Sequence, residues 1–134
     1  MTRGERNKNP LNIRKSGETF VGEVKNGYDS QFKVFEDMMY GYRAAFVILG
    51  TYNMRGLNTI DKIVTAWAPP HENDTERYIR DVESWSGVDR RKKLSLIGNS
   101  GDYIKIVKAM SVKEIGKCFD DAVEKGFKLQ TKIK

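Results

Sequence analysis

The feature that most constrains the fold is the helical period that sets in at Asp37 and holds to Tyr52. Met38, Tyr42, Ala45, Phe46, Leu49 and Tyr52 recur at intervals of three and four residues, so the segment reads as a central helix with one apolar face. Shorter segments follow. Thr59 caps a helix whose apolar side is Ile60, Ile63, Val64 and Trp67, and Pro69-Pro70 stops it. Asp74 or Thr75 opens the next, with Tyr78, Ile79, Val82 and Trp85 on its buried side and Gly87 at its end. A further helix opens at Asp102 and carries Ile104, Val107 and Met110. It either runs on to Glu114 and ends at Gly116, or gives way to a new helix at a Ser111–Glu114 capping box; the letters fit both. Gly126 closes the helix that follows.

Before Asp37 the signals change. Asn7, Asn9, Pro10 and Asn12 crowd a polar stretch and favour turns over regular helix. Between residues 19 and 35, apolar residues flank Asn26-Gly27, and Phe32 and Val34 alternate with Gln31 and Lys33. That pattern predicts a small β-hairpin. The expected fold is α+β, mainly α: five or six helices and one hairpin in a single domain spanning residues 1–134. A chain of this length buries about two-thirds of its unfolded surface.

Composition excludes several classes. Six Phe, six Tyr and two Trp supply a core despite 31% charged residues, so the chain is not disordered. One cysteine, Cys118, makes no internal disulfide and no metal cluster; it reads as an apolar filler on a helix. One histidine, His71, rules out a His-pair metal site, and no cofactor motif is present. No apolar run approaches the roughly 20 residues of a membrane span. The basic N-terminus lacks the apolar segment of a secretory signal, which predicts synthesis in the cytoplasm. A net charge of +6 and a pI of about 9.4 favour a polyanionic partner. Arg90-Arg91-Lys92-Lys93 is the one dense basic run. No aromatic residues interleave with it, so it reads as a solvated connector; a nucleic-acid-binding module is a weaker option, opposed by the lack of a recognisable reading helix.

Four stretches resemble a family of phage and prophage structural (virion) proteins. They are Arg3–Arg14, with its Arg-Gly-Glu-Arg-Asn-Lys-Asn-Pro-Leu-Asn-Ile order; Phe32–Phe35 with Gly41–Ala44; Gly56–Ile60 with Trp67–Ile79, which holds Trp-Ala-Pro-Pro-His-Glu-Asn-Asp-Thr; and Lys108–Gly116. Together they cover nearly the whole chain. The succession of Asn-Pro loop, hairpin, central helix and Tyr-bearing helix is also similar to the body of lysozyme-like lytic transglycosylases and glucosaminidases. Those enzymes carry a catalytic Glu at the end of a helix as Glu-x-Gly, and Glu114-Ile-Gly116 has that form. Here it lies near the C-terminus, so the resemblance implies a circularly rotated lysozyme-like arrangement, with the Glu114 helix beside the Asn-Pro loop.

The resemblance implies cleavage of the peptidoglycan glycan strand, by hydrolysis or lytic transglycosylation, with Glu114 as the general acid. Such an acid must keep its proton near neutral pH, which burial against apolar neighbours favours. The plain alternative makes Glu114 a capping-box residue. A second carboxylate would come from the hairpin, where Asp29 and Glu23 stand, although an Asp at a turn is also a turn former. Asn9 and Asn12 are candidates for binding N-acetyl groups, or they structure their loop. Glu72 and Tyr78 are candidates for lining a sugar groove with Trp67 as a platform, or they serve helix entry and the core. Arg43 is expected to anchor a loop or a carboxylate. The rival reading is a non-catalytic virion protein that binds the cell wall or a protein partner. In either case the protein is expected to act at the wall or in the virion if phage machinery carries it there.

Overall fold

In the computed structural model, which describes residues 1–132, the chain begins with a helical turn. α1 (Arg3–Arg6) is closed by a capping box between Thr2 and Glu5. The Asn-Pro segment that follows is held by buried amides. Asn9 donates to the Ile13 and Lys33 carbonyls and accepts from the Ile13 N–H, each at 2.9 Å. Asn12 takes a left-handed backbone (φ 52°), which asparagine tolerates better than most residues.

The regular hairpin expected over residues 19–35 does not form. The chain doubles back, but pairing is reduced to two isolated antiparallel bridges, Arg14 with Phe32 and Glu23 with Phe35. Two side chains account for this. Asp29 accepts from the N–H groups of Gln31 and Phe32 and so removes two donors from any ladder. Lys33, which the alternation places outside, is buried instead. Its ammonium donates to the Glu18 carbonyl at 2.7 Å and to both Glu23 carboxylate oxygens at 3.1 Å, while its backbone N–H pairs with Ile13.

The helical remainder makes the fold mainly α. α2 (Met38–Met54) starts on Asp37, whose carboxylate accepts from the Met39 N–H, and it buries Tyr42, Ala44, Ala45, Phe46 and Leu49. α3 (Ile60–Trp67) and α4 (Thr75–Ser86) start on Thr59 and Asp74 as expected, and Gly87 ends α4 in the left-handed region. Trp85, expected on the buried side of α4, is half exposed. α5 (Ser100–Ile115) is one continuous helix to Gly116, so no new helix begins at Ser111. The Ser111 hydroxyl lies 2.7 Å from the Tyr42 hydroxyl and donates to the Lys117 carbonyl. Cys118 is half-buried in the loop after α5. Burial, followed by the neighbouring Asp120 carboxylate, pushes its thiol up to about 12, which favours the protonated form.

Charged residues tie these elements together. The basic run is not a free connector: Arg90 forks onto Glu76 (2.7 and 2.9 Å) and reaches Asp61 at 2.6 Å, joining α3 to α4. Lys92 pairs with Asp102 at 2.7 Å. Arg43 finds no carboxylate among the described residues, and its Nε is buried without a hydrogen-bond partner.

α6 (Asp120–Lys132) passes through Gly126 and lies along α2, with Phe46 and Phe127 edge to face at 5.1 Å. A Cβ on Gly126 would stand 2.8 Å from both the Arg43 amide nitrogen and the Met39 carbonyl oxygen, which are backbone atoms of α2. Gly126 is therefore the contact that lets the two helices touch. Helix propensity alone would make Gly126→Ala stabilising by about 1 kcal/mol. Forcing the helices apart costs more, and we expect a net loss of about 1–3 kcal/mol in urea denaturation with helical content unchanged. A raised midpoint would show that α6 is not pinned on α2.

Candidate functional site

Glu114 lies in the last turn of α5, and the elements around it hold the end of that helix from two sides. Gly4 of α1 is packed so closely on Ile115 that a Cβ there would lie 2.5 Å from the Ile115 Cγ2. α1 thus sits on the end of α5, and the loop it leads into reaches Glu114: the Asn12 Nδ2 donates to Oε1 at 2.8 Å. From the other side the buried Tyr78 hydroxyl of α4 donates to Oε2 at 2.9 Å. The pairing of Lys113 with Asp81 at 2.7 Å fixes the register of α4 on α5.

Burial raises the Glu114 carboxyl above the ordinary glutamate range. The hydrogen bonds from Asn12 and Tyr78, and the charges of Arg14 and Lys113, oppose this without cancelling it. The Tyr78 phenol is raised far above its usual value, first by burial and then by the Glu114 charge and hydrogen bond. Tyr78 therefore keeps its proton. Its hydroxyl can donate to an ionised Glu114 or accept from a neutral one, so the site accommodates both protonation states.

Glu114 opens into a groove of about 370 Å³. The N-terminal segment contributes Asn12, Arg14 and Phe32; α2 contributes Ile48 and Tyr52; Trp67, Glu72 and Asn73 come from the end of α3 and the loop beyond. The Trp67 indole N–H donates to the Leu11 carbonyl at 3.1 Å, and its ring meets Tyr52 edge-on at 6.2 Å. The Arg14 guanidinium rides 5.2 Å from the centre of the Phe32 ring and 3.8 Å from Glu72.

Of the residues singled out in the sequence, Glu114, Asn12 and Tyr78 are joined by hydrogen bonds, and Glu72 lines the same groove. Asn9 is buried in its own loop with its amide fully used. Asp29 is also buried outside the groove. Arg3, Asn7 and the Gln31 and Phe32 amides bind its carboxylate, and Arg3 foremost holds it far below the usual carboxylate range. Arg14, Phe32 and Tyr52 were not singled out. Arg14 falls inside the Asn-Pro motif, but nothing in the letters separates it from its neighbours. Among the described residues no group of three or more His, Cys, Asp or Glu is arranged to hold a metal, and no helix is long and apolar enough to cross a membrane.

No protein-family model matches the chain. Over 131 residues it is 39% identical to protein P5 of Pseudoalteromonas phage PM2, an alignment that covers 93% of the chain and 79% of the relative. A phage-encoded relative of that extent agrees with the phage kinship expected from the motifs.

The raised Glu114 carboxyl has a measurable consequence. A carboxyl whose folded value lies above its unfolded value, about 4.3, binds a proton more readily in the folded chain. Stability is then lost as pH rises through that interval, and the penalty persists at pH 7. Glu114→Gln keeps an oxygen for Asn12 and cannot ionise. We expect E114Q to be more stable than wild type at pH 7 by denaturant titration, with the advantage shrinking towards pH 4. An advantage independent of pH would show that the carboxyl is not shifted.

Proposed function

The chain belongs to the family of phage protein P5, and from that premise we propose that it is a virion protein that engages the bacterial cell wall and cleaves its glycan strand, with Glu114 as the general acid. The observation that carries this reading is the sheltered carboxyl of Glu114, raised by burial and opening into a groove lined with aromatic and amide side chains. The contact between Asn12 and Glu114 supports a circularly rotated lysozyme-like arrangement.

The chemistry follows from the protonation state. Neutral Glu114 gives its proton to the glycosidic oxygen as the bond from that oxygen to the sugar C1 breaks. The resulting carboxylate, steadied by Asn12 and Tyr78, then takes the proton of the incoming hydroxyl. Water as that hydroxyl gives hydrolysis; the sugar's own hydroxyl gives lytic transglycosylation. Asp29 has no part, because its carboxylate is consumed by Arg3 and Asn7. Glu72, paired loosely with Arg14, is the other acid lining the groove. Lytic transglycosylation needs no second carboxylate and suits this site best. Asn12 and Glu72 are the proposed substrate contacts; Tyr78 acts behind Glu114, and Asn9 acts by shaping the loop that carries Asn12.

A second reading is favoured by the phage relative: a non-catalytic virion component that binds the wall or a protein partner, for which a net charge of +6 suits a polyanionic polymer. Zymograms on bacterial wall preparations separate the two. Cleavage predicts clearing, a loss of about 100-fold or more in Glu114→Gln, and a rate that falls as pH rises through the raised Glu114 value. Retention on wall material without turnover, unaffected by the same substitution, would remove the catalytic reading and leave the binding one.

A further inference from the structure

We propose that Arg14 is the specificity element of the groove, a binding site for a carboxylate on the glycan, so that acid-bearing strands are selected over neutral ones. The inference rests on the glycan reading above and names the substrate class within it.

Arg14 differs from the arginines that fork onto a carboxylate, and unlike the loosely paired Arg77 and Arg80 of α4 it lines the groove. Arg3 forks onto Asp29 at 2.7 and 2.8 Å, and Arg90 forks onto Glu76 at 2.7 and 2.9 Å. The one ion pair of Arg14 among the described residues is with Glu72 at 3.8 Å, beyond hydrogen-bond reach, and Glu72 stands equally far from His71. Its side chain is 62% exposed, yet it is not loose: the backbone is bridged to Phe32 and the guanidinium packs over the Phe32 ring at 5.2 Å. A planar fork is thereby held at the groove lined by Glu114, with its donors unspent. Glu72 is the one acid set against that fork, and at 3.8 Å it leaves the guanidinium without a hydrogen-bonded carboxylate. A neutral sugar offers it no charged partner. A carboxylate offers two charge-assisted bonds and can displace the distant Glu72. In wall glycan such a group is the lactyl carboxyl of the sugar where the peptide is absent, and a carboxyl of the peptide where it is attached through that lactyl group.

The test measures binding by the full-length E114Q chain, which leaves its ligand uncut. The ligands are neutral chitooligosaccharides, wall glycan strands stripped of peptide, and peptide-bearing strands. We expect the carboxylate-bearing strands to bind at least about tenfold more tightly than the neutral oligomer. Adding Arg14→Gln should remove that margin and leave the chitooligosaccharide affinity unchanged. Arg14→Lys, which keeps charge but not the fork, should restore only part of it. A loss already seen on stripped strands assigns the lactyl group; a loss confined to peptide-bearing strands assigns the peptide; either upholds the proposal. Arg14→Gln weakening all three ligands equally, or none, overturns it while the glycan reading stands. Failure of E114Q to bind any glycan overturns that reading itself.

Discussion

The Asp29 carboxylate is the joint on which the non-helical part of the molecule turns. Arg3 of α1 reaches it through two nitrogens, Asn7 from the next loop adds a third bond, and the Gln31 and Phe32 amides complete the set. Burial would ordinarily drive such a group to neutrality, but five N–H donors, two of them from one guanidinium, hold it ionised. The structural effect is positional. α1, the Asn-Pro loop and the segment around Phe32 are clamped together, which places Arg14 and Asn12 along one side of the groove. An electrostatic joint does here what a sheet does in other α+β domains.

Helix boundaries were legible wherever a local signal decided them. Thr59, Asp74, Gly87 and Gly116 act where their chemistry predicts, because a cap is a contact within one turn. Features set by distant partners were not. Gly126 reads as a terminator, yet it is a place where another backbone comes close. Lys33 reads as a solvent-facing residue of an alternating strand, yet Glu23 and the Glu18 carbonyl make its burial affordable. The expected hairpin failed for a related reason: its donors were claimed by Asp29 and by the N-terminal loop.

The candidate site divides along the same line. Glu114, Asn12 and Tyr78 stood out as residue types in suggestive surroundings, and hydrogen bonds join them in the folded chain. Asn9 and Asp29 were equally suggestive letters, but their polar atoms are spent inside the N-terminal segment. No pattern distinguishes a committed carboxylate from an available one, since the difference lies in who else reaches it. Arg14 shows the converse, being an unremarkable residue that gains its place from the ring beneath it.

The bond from Asn12 to Glu114 spans 102 positions of the chain. A polypeptide emerging from the ribosome thus carries its asparagine loop long before the carboxylate that the loop will meet. Until the end of α5 has been made and has docked on α1, the groove is without its sheltered acid. That acid is made after every other residue that lines the groove.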